Sequence, residues 1–150
     1  MRLPKVAGSN LIRKKMVFPD DFVGEINLVF IAFLRQHQDL IDEWVPFVEK
    51  LAAEFPGLQY YEFPILPRKG FLYRTFLNEG MRAGIPDPAT RARTITLYLD
   101  KSNLRKALDI QHERNMWVFL FDKKGEVLWR SEGRFSDVKS QALHTLLSQI

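Results

Sequence analysis

The sequence predicts an α/β fold, a three-layer sandwich whose central mixed sheet of four to five strands is flanked by helices. Three observations predict it. Ile26–Phe33 is a nearly continuous apolar run, the pattern of a strand covered on both faces. It feeds a segment in which Leu40, Ile41, Trp44, Phe47, Val48, Leu51, Ala52 and Phe55 recur at three- and four-residue spacing, one broad apolar stripe of a helix. Residues 94–133 then run strand, short helix, strand, tight turn, strand.

The elements follow in order. Gly8-Ser9-Asn10 reads as a turn cluster, and Leu11–Phe18 as a strand in a peripheral N-terminal segment covering residues 1–20. Pro19, Asp20, Asp21 and Gly24 punctuate the entry to the core. The helix around Trp44–Phe55 has Asp42 and Glu43 early and Lys50 later, as its dipole favours. Pro46 removes a backbone donor inside it and is expected to kink it unless the helix starts near Trp44. Pro56-Gly57 stops it, and Leu58–Pro64 is a short second strand. Residues 65–93, broken by Pro67, Gly70, Gly80, Gly84, Pro86 and Pro88, are too long for a bare connector and form an inserted irregular excursion, with a helical turn or two over Phe71–Leu77. Thr94–Leu99 is β-rich, and Ser102 is the expected cap of a helix through Ile110. Met116–Phe121 and Val127–Arg130 flank Asp122-Lys123-Lys124-Gly125, a hairpin signal because glycine relieves the left-handed turn position. Ser136 caps a final helix bearing Val138, Ala142, Leu143, Leu146 and Leu147. Nothing marks a second domain, so residues 1–150 are expected to fold as one.

Composition narrows the chemistry. Hydrophobic residues make up 46% of the 150, enough for a packed core. The chain has no cysteine, which removes disulfides, thiolate nucleophiles and every cysteine-based metal site. The net charge of +4 is unevenly placed. Residues 1–20 hold Arg2, Lys5, Arg13, Lys14 and Lys15 against Asp20, and residues 82–106 hold six basic side chains against Asp87 and Asp100. Residues 35–62 are acidic on balance. Such asymmetry would steer an acidic partner or an anionic membrane surface, although ordinary solvated charge explains it more simply. Nucleic acid is not an expected partner, because the basic residues do not alternate with exposed aromatics. Residues 1–20 lack the apolar core of a secretory signal. The longest apolar stretch, Ile26–Leu34, falls far short of the roughly 20 residues that cross a bilayer. The cytoplasm is therefore the expected compartment if these 150 residues are the whole chain.

The order of elements resembles the thioredoxin-like fold in its redoxin and peroxiredoxin-like elaboration, through Phe22–Phe55 with its in-helix proline and through Thr94–Gly133. More narrowly, Gly84-Ile85-Pro86-Asp87 followed by Arg93-Thr94-Ile95-Thr96-Leu97-Tyr98 is similar to the mitochondrial ATP synthase assembly factor family of thioredoxin-like proteins and its bacterial relatives. The likeness spans roughly residues 20–150. It implies help in assembling a membrane complex such as ATP synthase, with a protein partner and peripheral membrane contact at most. The departures are as informative. Redoxins place a thiol pair near the start of the first helix; counted back from Pro46, those positions are Gln38 and Ile41. Where an active thioredoxin has a cis-proline before the hairpin strand, this chain has Asn115-Met116. An amide is not a nucleophile at neutral pH.

Candidate sites lie at two places. Arg35, Gln36, His37, Gln38 and Asp39 occupy the strand-to-helix edge, with His112 and Asn115 on the segment this fold brings beside it. His37 there would serve as an acid–base group or ligand; a solvated loop side chain is the commoner fate. Two histidines without a third ligand make a poor zinc site, and His144 reads as a partly buried helix residue. Arg82, Arg91 and Arg93 flank Gly84–Asp87, which suits an anion; an ion pair between Asp87 and a neighbouring arginine competes. The aromatic residues read as core. No nucleophile elbow, phosphate-cradling glycine loop or metalloprotease helix is present, and no cofactor or metal is expected. The leading expectation is a non-catalytic protein-binding domain using Arg82–Arg93 together with Arg35–Gln38. The alternatives are a redoxin-like oxidoreductase acting with a partner's thiol or a bound cofactor, and a small anion-binding module.

Overall fold

The computed structural model describes residues 1–66 and 87–150. The central element is β3 (Ile26–Ala32), every residue of which after Ile26 is buried. It pairs in parallel with β4 (Leu58–Leu66) and antiparallel with β6 (Trp117–Asp122). β4 pairs in parallel with β5 (Ile95–Tyr98), and β6 turns back through Gly125 (φ 91°) into β7 (Val127–Glu132). An N-terminal hairpin, β1 (Val6–Asn10) and β2 (Lys15–Phe18), adds antiparallel to β5. The sheet thus has seven strands in the order β2-β1-β5-β4-β3-β6-β7, not four to five.

The extra strands come from the segment read as a turn and one strand. Gly8 does not turn the chain. It sits mid-strand where β1 approaches β5 so closely that a Cβ would land on the Thr96 carbonyl oxygen, a use of glycine that a turn signal cannot separate from its own. The turn is made instead by Asn10, whose Oδ1 accepts from the backbone N–H groups of Ile12 (3.1 Å) and Lys14 (2.9 Å). Its Nδ2 donates to the Ala92 carbonyl at 3.1 Å.

Alternation along β3 and β4 sorts the core into two layers. Leu28, Phe30, Leu58 and Tyr60 pack with Ile41, Trp44, Val48 and Leu51 of α1 (His37–Glu54) and with Leu143 and Leu147 of α4 (Asp137–Gln149). Val29, Ile31, Tyr61, Phe63, Phe119 and Phe121 pack on the other face with Phe18, Phe22 and Leu104 of α3 (Lys101–Ala107). Pro46 lies inside α1 on its exposed side, where the Asp42 carbonyl it leaves without a helical donor can reach water. Ser136 caps α4 by accepting from the Lys139 N–H. α3 is capped by Asp100, not Ser102, and it ends at Ala107. Asp109 then adopts a left-handed φ of 51° and the Ile110 N–H bonds the Arg105 carbonyl at 2.9 Å, a 6→1 closure that stops the helix short of Ile110. Of the excursion over 65–93, the described parts are the end of β4 and α2 (Pro88–Arg93); the helical turn expected at Phe71–Leu77 lies outside the described residues.

Candidate functional site

The end of β3 and the start of α1 form one rim of the sheet. α1 begins at His37, with Gln36 as N-cap and no side-chain cap. The first amides are closed locally: the N–H groups of His37, Gln38 and Asp39 donate to the carbonyls of Leu34, Arg35 and Gln36 at 3.0, 3.2 and 3.3 Å. A helix start normally offers such donors to an anion; here they are occupied.

His37 is not a solvated loop residue. It is 1% exposed, and both ring nitrogens are engaged. Nδ1 accepts from the N–H groups of Phe33 (3.1 Å) and Leu34 (3.2 Å), and Nε2 lies 3.2 Å from the Arg114 carbonyl oxygen. Two donors at Nδ1 and an acceptor at Nε2 fix the neutral Nε2–H tautomer. Burial holds the ring's pKa below its ordinary value, against the opposing pull of the Arg114 carbonyl. The ring therefore ties the strand-to-helix junction to the segment before β6, where Asn115 lies. Asn115 is half-buried, accepts the Met116 N–H at 3.1 Å and packs on Gly133, whose φ is 78°. The indole Nε1–H of Trp44 donates to the Gly133 carbonyl at 3.0 Å. Arg35 and Arg114 are exposed on either side of the His37 bridge.

Gln38 points the site inward. Its Nε2 donates to Asp42 Oδ1 and to Glu62 Oε1, each at 3.0 Å. Glu62 is 2% exposed, on the α1 face of the central strand β4. Its carboxyl is pushed up by burial; the Gln38 bond opposes this, Asp42 adds to it and the Arg93 charge opposes it. The Arg93 guanidinium stacks 4.0 Å over the neighbouring Tyr60 ring and its Nε donates to Ala89. Gln38 and Arg93, placed at separate sites by sequence, thus flank one buried carboxyl. Glu62 is not among the residues singled out from the sequence. Its signal was a lone charge inside an otherwise buried parallel strand.

The arginine-flanked loop is resolved into different roles. Asp87 pairs with no arginine among the described residues. It caps α2, its Oδ2 accepting from the Thr90 N–H (3.0 Å) and hydroxyl (2.7 Å). Arg91 lies on α2 with its carbonyl accepting the Leu11 N–H, while Arg82 lies outside the described residues. His112 faces Glu132, Nε2 to Oε2 at 3.0 Å. His144 faces Glu54 at 3.0 Å, remote from the rim on α4. Among the described residues no three histidine, aspartate or glutamate side chains gather to hold a metal ion. An apolar recess lined by Ile26, Phe55, Leu58 and Leu147 lies at the opposite end of β3.

Solved structures share this architecture. A thiol:disulfide interchange protein from a Bacteroides species matches with a TM-score of 0.66 at 17% identity, over 98% of this chain and 88% of that one. The exposed lipoprotein thioredoxin of Streptococcus pneumoniae matches with a TM-score of 0.64 at 12% identity, over 98% and 100%. The thioredoxin domain of a thiol-disulfide oxidoreductase from Bacteroides vulgatus matches with a TM-score of 0.61 at 15% identity, over 98% and 96%. The fold is thioredoxin-like. No protein-family model matches the sequence, and no curated protein matches it; the likeness to the ATP synthase assembly factors therefore rests on the sequence motifs alone.

Of the two positions that the likeness to redoxins suggests for a thiol pair, Gln38 is half-buried at the rim and Ile41 is buried in the core. With no cysteine anywhere in the chain, thiol–disulfide exchange by its own residues is chemically excluded. Among the described residues no helix is long and apolar enough to cross a membrane.

Proposed function

We propose that this thioredoxin-like chain is not a catalyst and works by binding another protein through its rim. The observation that carries this is the state of the polar groups there. The helix-start amides close on their own carbonyls, both His37 nitrogens hold backbone, and Gln38 holds two carboxylates. A reactive centre needs a nucleophile or an acid–base group free to meet substrate; this rim offers an ordered surface instead. Arg35, His37, Gln38 and Asn115 shape that surface, with Arg93 behind Gln38, and Asp87 and Arg91 are proposed to extend it; Arg82 lies outside the described residues. The sequence motifs around Asp87 and Arg93 favour a subunit of a membrane complex as partner, ATP synthase being the instance the family likeness names.

The test is affinity purification from the native host with the wild-type chain and with an Arg35→Glu/Arg114→Glu double variant. The expected result is a specific protein retained by the first and lost from the second. Equal retention by both, or no specific protein at low and moderate salt, refutes the rim as the binding surface. Insulin reduction and thiol-peroxidase assays of the same preparation should give background rates.

A further inference from the structure

The basic side chains near the N-terminus are not spread evenly. Arg2 and Lys5 have acidic neighbours, Glu126 at 3.8 Å and Asp20 at 3.6 Å. Arg13, Lys14 and Lys15 gather instead at the turn between β1 and β2, where Ile12, Arg13, Lys14 and Lys15 are all exposed. Ile12 is 54% exposed, an aliphatic side chain beside three cations. No acidic residue precedes Asp20 in the sequence, and among the described residues no carboxylate pairs with Lys14 or Lys15.

The backbone of this turn is held by its own bonds. Besides the Ile12 and Lys14 amides on Asn10 Oδ1, the Asn10 N–H donates to the Lys14 carbonyl at 2.9 Å and the Arg13 N–H to the Asn10 carbonyl at 3.1 Å. Arg13 takes a left-handed φ of 67°. Below the turn, buried Leu11 donates its N–H to the Arg91 carbonyl of α2 at 3.0 Å. The outer edge of β2 is closed too: the Val17 N–H donates to Asp21 Oδ2 at 2.6 Å, and the Asp21 N–H to the Val17 carbonyl at 2.8 Å. A peptide strand therefore finds no open hydrogen bonds at Val17. Four successive exposed side chains make a projection rather than a groove, so the turn has no cleft to enclose a partner's side chain. What it offers is positive charge and one aliphatic group on a fixed frame.

We propose that the turn between β1 and β2 is a contact for an anionic phospholipid surface. Lys14 and Lys15 meet lipid phosphate groups, and Ile12 enters the boundary between headgroups and acyl chains. Each lysine contributes about fivefold to binding, so the contact is weak and reversible. It is separate from the protein-binding rim and does not depend on it.

The test is co-sedimentation of the full chain with phosphatidylcholine vesicles, alone or with about one-third phosphatidylglycerol. Binding is expected to the mixed vesicles only, and should weaken as salt rises from about 0.05 to about 0.5 M. Lys14→Gln/Lys15→Gln should weaken it about 25-fold, and Ile12→Ser about threefold to fivefold. Arg35→Gln/Arg114→Gln removes the same charge at the rim and should leave vesicle binding close to wild type. These substitutions spare Asn10, Leu11 and Arg13, which shape the turn. Equal binding to both kinds of vesicle, or binding to neither, overturns the proposal. So does wild-type binding by Lys14→Gln/Lys15→Gln, or an equal loss in the rim variant, which would make net charge the cause. Ile12→Trp gives a second readout: its added indole emission should shift to the blue on mixed vesicles, and an unshifted emission overturns the insertion of residue 12.

Discussion

Replacing Glu62 by glutamine tests whether the rim rests on a buried charge. The carboxyl is 2% exposed, and its one described hydrogen bond comes from Gln38, whose amide nitrogen also serves Asp42. Burying a carboxylate costs several kcal/mol, which one shared donor and a nearby Arg93 offset only in part. Glutamine keeps the oxygen that accepts from Gln38, at the loss of about 1 kcal/mol as a charge-assisted bond becomes a neutral one. The net expectation at pH 8 is a gain of about 1–3 kcal/mol, or several degrees in Tm at roughly 2–4 °C per kcal/mol for a chain of this size. The sign with pH follows from burial raising the carboxyl's pKa above its usual 4.5. The folded protein binds this proton more tightly than the unfolded chain does. The stabilisation is therefore complete below pH 4.5 and is lost as pH rises through the folded value. Chemical denaturation of both proteins from pH 4.5 to 8 isolates this group, since distant titrations cancel in the difference. The advantage of Glu62→Gln should grow with pH, at no more than about 1.4 kcal/mol per pH unit. A difference that is flat, or that grows toward acid, refutes a buried carboxyl of raised pKa.

Three further outcomes follow from the packing. Gly8→Ala puts a methyl group on the Thr96 carbonyl oxygen of β5 and should cost about 1–3 kcal/mol in denaturant unfolding, whereas a turn glycine with negative φ would tolerate it. Trp44→Phe strips the Gly133 carbonyl of its buried donor and removes ring bulk. A loss of about 2–4 kcal/mol is expected, with weaker exchange protection around Asn115. Gln38→Cys places sulfur at the position that the likeness to redoxins suggests for a thiol, yet that thiol would sit beside Asp42 and Glu62 with the helix-start amides already bonded. Its alkylation pH profile should give a pKa at or above about 8.5, an ordinary cysteine's value, and a markedly lower one would show that the helix start still supports a thiolate.

The parts of the fold set by neighbours in sequence were legible. β3 and β6 show as apolar runs, Asp122–Gly125 as a hairpin turn and Ser136 as a cap, because each depends on a few adjacent residues. The parts set by distant backbone were not. Gly8 answers to Thr96, 88 residues on, and without that contact it looks like any turn glycine. His37 owes its burial and its tautomer to the Arg114 carbonyl, 77 residues away, so its local setting of Arg35, Gln36 and Gln38 suggested solvent. Glu62 carried a usable sign, a charge in the middle of a parallel strand, but its pairing with Gln38 spans 24 residues and a whole helix. Among the described residues Asp87 pairs with no arginine and instead caps α2 through Thr90, three residues later.

The same reasoning explains why a rim without cysteine is an ordered surface. A thiolate at a helix start is stabilised by unsatisfied N–H groups and by nearby positive charge. Without a sulfur such groups would be orphaned donors, and orphaned buried donors are costly. In this chain each has another partner. Local carbonyls take the first helical amides, and Nδ1 of His37 takes the two N–H groups at the end of β3. Gln38 binds the carboxyl groups of Asp42 and Glu62, whose charge would disfavour a neighbouring thiolate. Outward, among the described residues, the rim presents the exposed guanidinium groups of Arg35 and Arg114. If the proposed protein-binding function holds, a frame whose internal bonds are complete would recognise its partner by shape and charge, with little ordering left to occur on binding.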